Sequence, residues 1–454
     1  MAEEADVEDK RILAFLAIHY QLIPVLLGCF LIAASMGTYT SWDAQLEYEA
    51  ASNVLTHGFP YVTTGLMINQ PPLGFYTAAP IFATFGSSYL TGVGLATAFG
   101  LGCVALVYAL GTVLYGKKTG LLAAALFGFV PWHVYMSRIF LIDNQYLFLS
   151  LLFLVVGVLA VKRNSQRLVL AAGVLFGLAL LTKLFAVFAL IPLALLIFLN
   201  RKEGTFQLNL RRVLLFALPS LTLQAVWFGG FANQNFFGVY FSSDFTHPVL
   251  VADPVLGFLP IIFMKSAGWF LFIAVFFSLG LALAYRKNLA AHLRLDLICL
   301  GTIAAIAAFD MLFVFGFHLT VPYVSAIKYT YLGLPFFCLL AASVADKGWA
   351  LMATMDWKKK IHLVKPLLVM VGLVLVLASL VESILFLNAW VGFVAFGVDS
   401  VTYYGFNLYS DAMPRDAVAQ WHYLGLILVI TALAVPSSVS LLRKFISKKE
   451  TLTS

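Results

Sequence analysis

The feature that most constrains this chain is a recurrence. Uninterrupted apolar runs long enough to cross a bilayer appear from one end of its 454 residues to the other. A helix needs about 20 residues to span the hydrocarbon core. Lipid offers no hydrogen-bond partners, so only helices and closed barrels can span it. The runs here are continuous rather than alternating, which predicts helices. Twelve spans are expected, near 12–37, 87–115, 119–136, 145–161, 168–182, 184–199, 213–231, 267–285, 296–316, 326–344, 365–387 and 422–441. Composition agrees: 62% of residues are hydrophobic and only 11% charged, against about 25% charged in soluble domains. The chain therefore reads as all-α, one polytopic transmembrane bundle over 1–454. The first span reads as retained rather than cleaved. It is too long for a signal-peptide core, and its leader MAEEADVEDKR is mostly acidic.

A net charge of +7 suggests nucleic acid until the basic residues are located. They lie in short clusters between the apolar runs: Lys117–Lys118, Lys162–Arg163–Arg167, Arg201–Lys202, Arg211–Arg212, Arg286–Lys287–Arg294, Lys347, Lys358–Lys360 and Arg443–Lys449. With twelve spans, all of these fall on the side of the N-terminus, and the positive-inside rule makes that side cytoplasmic. Of 28 Lys and Arg, 23 follow the rule. The exceptions are Arg138, Lys183, Lys265, Lys328 and Arg415. The expectation is a multi-pass plasma-membrane protein with both termini cytoplasmic, a site facing outside, and no nucleic-acid partner. Cys29, Cys103, Cys299 and Cys338 all lie in apolar spans, with neither metal nor disulfide spacing, and read as small core residues.

The outer loops carry the other polar residues. The first, 38–86, reads in two parts. SWDAQLEYEAASNVLTHG predicts a short helix capped by Ser41 and ended by Gly58 in a left-handed turn. Trp42, Leu46, Ala50 and Leu55 would form an apolar stripe on the membrane interface. Pro71 and Pro72 then fix an extended turn before a second interfacial or re-entrant helix.

Several residues in these regions suit chemistry. Asp43 falls just past the first span, with Glu47 one helical turn on and able to share its face. A partly desolvated carboxylate suits a general base; the alternative is a solvated or helix-capping acid. SRIFLIDNQ places Arg138 and Asp143 in a short connection between two membrane helices, where charge is costly unless used or mutually clasped. Lys183, in LLTKLFA, either snorkels to headgroups or turns inward to an anion. Lys328, in SAIKYTYLGLP, stands near the outer end of the tenth span with Tyr329 and Tyr331 beside it; His318 and Tyr323 precede it. Cations gathered on the outer side call for an anionic group in the outer leaflet. A polyprenyl phosphate is such a group, and Arg and Lys would neutralise it as it leaves.

These residues carry a resemblance. Asp43-x7-Ala51-x6-Gly58 followed by Pro71-Pro72-Leu73 is similar to the polyprenyl-phosphate-sugar transferases of the GT-C superfamily, which include protein O-mannosyltransferases and lipid A aminoarabinose transferases. GLLAAALFGFVPWHVYMSRIFLIDNQYLFLSLLFL resembles the family's third and fourth helices with their Arg-x4-Asp loop. FGLALLTKLFAVFAL and SAIKYTYLGLPFFCLLAA resemble its two Lys-bearing stretches. The resemblance implies an inverting membrane glycosyltransferase that uses a polyprenyl-phosphate sugar rather than a nucleotide sugar, acting on a lipid, glycan or protein acceptor. It implies Asp43 as base, with Arg138, Lys183 and Lys328 around the donor phosphate and Asp143 in support. Gln70, His318, Tyr323 and Tyr329 are candidates to contact substrate. The chain departs from the pattern at two places. Ala44 stands where protein mannosyltransferases carry Glu, leaving Glu47 or Asp143 to share the acid role. Gln70 stands where many bacterial members carry Lys. No cofactor is expected. Glu47-Tyr48-Glu49 has the acid-x-acid form of metal-dependent relatives, but one helix points those two side chains apart. The competing reading is a transporter or flippase of a lipid-linked or anionic solute, which would place charges near the membrane midplane. Asp310 and Glu382 are the residues that fit it. A scaffold that kept the fold without activity is a third reading.

Overall fold

The structure is a computed structural model that describes residues 20–63, 65–66, 70–199, 206–230, 267–285, 290–311, 330–353, 364–395, 401–403, 406–408 and 420–434. Each of the twelve apolar segments overlaps a described helix or helix pair, and three of the described helices are long and apolar enough to cross a membrane. The helices are α1 (Leu22–Ser35), α2 (Trp42–His57), α3 (Leu73–Phe85), α4 (Tyr89–Leu114), α5 (Lys117–Phe129), α6 (Pro131–Met136), α7 (Asp143–Arg163), α8 (Gln166–Thr182), α9 (Leu190–Leu199), α10 (Leu210–Gly230), α11 (Trp269–Ala284), α12 (Ala290–Met311), α13 (Leu334–Ala353), α14 (Val364–Ala395) and α15 (Gln420–Ala434). Two small antiparallel ladders, Tyr61–Val62 with Gly65–Leu66 and Val401–Tyr403 with Phe406–Leu408, are the only paired strands among the described residues.

The bundle is built around the middle of the N-terminal half. Residues 123–147 are buried without a break. Helix α5 lies between α4 and α13, and α7 packs on both α4 and α8. The 119–136 run is two helices, because Pro131 takes the first position of α6 and has no N–H to continue the α5 ladder. The four cysteines are free and buried.

Helix α2 has the caps its sequence dictates. Ser41 accepts from the Ala44 N–H at 3.2 Å, and Gly58 ends the helix at φ 76°, a conformation in which a Cβ is penalised. The expected interfacial stripe does not form. Ala50 is fully buried with Phe75, Phe82 and Val93, while Leu55 is exposed, because α2 packs on α3 rather than resting one face on lipid. Pro72 is helical (φ −86°, ψ −14°) and is the N-cap of α3, so its expected extended turn is also corrected.

Candidate active site

Three connected segments meet on one side of the bundle. The link from α1 to α2 pairs with the loop between α6 and α7. Tyr39 N–H donates to the Arg138 carbonyl at 2.8 Å, and Arg138 Nε donates to the Gly37 carbonyl. Tyr89, at the start of α4, ties the two together by donating to the Tyr39 carbonyl at 2.6 Å. An Arg138 η-nitrogen also donates to Thr97 Oγ1 at 3.2 Å. Arg138 is thus buried and held by two elements besides its own.

Asp43 is exposed in the first turn of α2, whereas Glu47, one turn on, is buried. Glu47 Oε2 accepts from the Ile142 N–H at 2.8 Å, at the N-cap of α7. A carboxylate there complements the positive end of the helix dipole and fixes α2 against α7. Glu49 points elsewhere and accepts from Thr63 at 2.8 Å. Ala44 is fully buried in the main core, which accounts for its departure from Glu: a longer acidic side chain would have to displace packed neighbours.

Asp143 opens α7 and is buried. Its partner is Lys183, at 2.7 Å with side chains 1% and 10% exposed. The loop is therefore not closed by an Arg138–Asp143 clasp, and of the two readings of Lys183 the structure shows the inward one, with Asp143 as the anion. The backbone explains why. Lys183 adopts an extended conformation (φ −157°, ψ 133°) between the end of α8 and the 3-10 turn Leu184–Ala189. That break turns its side chain inward. Gln70 is partly buried just before α3. Further along α3, Thr77 accepts from Gln145 of α7 at 2.9 Å, so Gln70 precedes an element that abuts the start of α7.

Lys328, His318, Tyr323 and Tyr329 lie outside the described residues, as does the side chain of Asp310. Tyr331, two residues beyond Tyr329, is buried and donates to Asn144 Oδ1 at 2.6 Å, while its hydroxyl oxygen lies 2.6 Å from His133 Nδ1. Asn144 in turn donates to the carbonyls of Ala96 and Met136. Sequence reasoning passed over this hydrogen-bonded chain. Its only signals were a His and an Asn in apolar segments, which have no partner within local reach. Glu382, one of the two residues that suited a transporter, accepts from the backbone N–H groups of Trp269 and Phe270, each at 3.1 Å. It caps the N-terminus of α11 and has a structural explanation. Lys347, read as a cytoplasmic loop residue, is instead fully buried and ion-paired with Asp296.

Residues 69–227 match the family model described as dolichyl-phosphate-mannose-protein mannosyltransferase, a stretch that runs from α3 to within α10 and includes Arg138, Asp143 and Lys183. The match covers about a third of the chain, and three described helices, α4, α7 and residues 367–387 of α14, are long and apolar enough to cross a membrane. Among solved structures it is similar to ArnT from Cupriavidus metallidurans bound to undecaprenyl phosphate, at 15% identity and TM-score 0.53 over 92% of this chain and 78% of that one. The apo state of that protein matches at 14% identity with the same score and coverage. The apo Archaeoglobus fulgidus oligosaccharyltransferase matches at 13% identity and TM-score 0.50, over 91% of this chain and 64% of that one. At these identities the likeness is one of fold. No curated protein matches in sequence.

Proposed function

We propose that the protein transfers a sugar from a polyprenyl-phosphate donor to an acceptor hydroxyl on the outer face of the membrane, inverting the anomeric centre. The observation that supports this best is the meeting of α2, the Arg138–Asp143 loop and Lys183. It sets the exposed Asp43 carboxylate one helical turn from Glu47, which caps the start of α7 where Asp143 pairs with Lys183. The family match over 69–227 and the undecaprenyl phosphate bound by the structurally similar ArnT point to the same donor class.

In this reading the acceptor oxygen attacks the anomeric carbon from the face opposite the phosphate. Its proton passes to the Asp43 carboxylate. The bond from the anomeric carbon to the phosphate oxygen breaks, and its electron pair leaves with the polyprenyl phosphate. Arg138, Lys183 and Lys328 offset the charge that builds on that oxygen. Arg138 is suited to it because a forked guanidinium can follow two oxygens at once. Asp143 holds Lys183 until the donor arrives. The lipid tail keeps the donor in the outer leaflet.

Purified protein incubated with a panel of radiolabelled polyprenyl-phosphate sugars should move label to an acceptor fraction. Asp43→Asn should fold, because the residue is exposed, and lose about 100-fold or more in turnover, the scale of general-base catalysis. Transfer by the Asn variant at the parental rate would remove Asp43 from the mechanism. Absence of transfer with every donor, in protein that also fails to bind polyprenyl phosphate, would overturn the proposed reaction.

A further inference from the structure

Two buried polar side chains near the α1–α2 link are left without partners. His422, on α15, is 1% exposed, and neither ring nitrogen has a hydrogen-bond partner among the described residues. Trp132, on α6, is also 1% exposed, and its Nε1–H has none. Buried polar groups are nearly always paired, so each such exception calls for a physical explanation.

Helix packing locates His422. Helices α1 and α15 touch through glycines. A Cβ on Gly425 would lie 2.6 Å from the Gly28 carbonyl oxygen and 2.8 Å from Ile32 Cγ1, and one on Gly28 would meet both Gly425 and Val429. Residues 429 to 425 therefore run antiparallel to 28 to 32. His422 lies one helical turn beyond Gly425, about 4.5 Å along the axis, level with Ser35 and Met36. The next residue, Gly37, gives its carbonyl to Arg138. Trp132 reaches the same segment by another route: its ring lies 5.2 Å from Tyr135, whose ring lies 5.1 Å from Tyr39. Helix α15 thus brings one unpaired polar group level with the α1 end of the link that leads to Asp43, and α6 brings another to one ring's remove from Tyr39 in the same link.

We infer that His422 and Trp132 recognise hydroxyl groups of the transferred sugar. This rests on the proposed reaction and adds to it a sugar subsite. The chemistry selects a neutral polyhydroxylated group. An imidazole can donate at one nitrogen and accept at the other, which suits a hydroxyl that does both, and an indole N–H donates. The cations already serve the phosphate. A site built from unpaired polar groups discriminates strongly against a ligand that leaves them empty.

The test compares binding of two ligands, a polyprenyl phosphate and the polyprenyl-phosphate sugar that the parent turns over, to parent, His422→Leu and Trp132→Phe. The parent should prefer the glycosylated ligand. Each variant should lose about 5- to 10-fold of that preference, the range of one neutral hydrogen bond, with bare polyprenyl phosphate bound within about 2-fold of parent. An undiminished preference in both variants overturns the inference and leaves the proposed reaction standing, as does an equal loss for both ligands. A parent that binds no polyprenyl phosphate overturns the proposed reaction and this subsite with it. Trp132→Phe removes only the N–H and keeps an aromatic ring in place, so it carries the test if His422→Leu does not fold.

Discussion

Replacing Lys183 with Met would remove the only charge that the described residues set against Asp143. The two groups are 2.7 Å apart, with the Asp143 side chain 1% exposed and that of Lys183 10% exposed. At that distance the gross attraction is about 6 kcal/mol at an effective dielectric of 20, offset by desolvation of both ions. Breaking a buried pair from one side costs about 3–5 kcal/mol, because the remaining charge stays buried alone, whereas replacing both partners by neutral groups of similar shape is close to neutral. Lys183→Met and Asp143→Asn should therefore each destabilise by about 3–5 kcal/mol, and the double variant should recover most of that loss. Chemical unfolding in detergent, followed by near-ultraviolet circular dichroism, measures it. Donor binding adds a second sign. Lys183→Met leaves a bare carboxylate facing the phosphate and should bind polyprenyl phosphate more weakly than the double variant, which in turn binds more weakly than parent. Single variants that lose less than about 1 kcal/mol would refute the buried-pair reasoning. A double variant that binds the phosphate like the parent would make Lys183 a clasp and nothing more.

Three other outcomes are expected from the geometry. Glu47→Ala should lower stability by about 1–3 kcal/mol by orphaning the buried Ile142 N–H, while Glu47→Gln, which keeps an acceptor, should retain most turnover; a loss as deep as that of Asp43→Asn would make Glu47 a participant in proton transfer. Lys347→Met should destabilise by about 3–5 kcal/mol because it strands Asp296, which also takes hydrogen bonds from Tyr115 and Ser343, and Lys347→Met/Asp296→Asn should restore most of it; turnover per folded molecule should match the parent in both. In whole cells an impermeant thiol reagent should label Asp43→Cys and leave Lys117→Cys unmodified, and labelling of both from the same side would overturn the orientation drawn from the positive-inside count.

Much of the fold is local in origin and could be read in the sequence. Only helices and closed barrels span lipid, and apolar runs that are continuous rather than alternating fit only the helix, so the helical segments follow from composition and spacing alone. The ends of α2 were also legible, because a Ser cap and a Gly in a left-handed turn act within four residues of themselves. Asp43, Arg138, Asp143 and Lys183 could be singled out because charge is rare in such a chain and must be compensated. The choice of compensating partner was not legible. Asp143 pairs with Lys183 across 40 residues rather than with Arg138 five residues away, and Glu47 spends its charge on a backbone N–H 95 residues on. A soluble helix reveals its buried face by being apolar there and polar elsewhere. In these helices nearly every face is apolar, so the sequence does not say which face meets lipid and which meets protein. Only the packing decided that Lys347 lies in the core, that Ala50 faces α3, and that His422 is brought beside the end of α1.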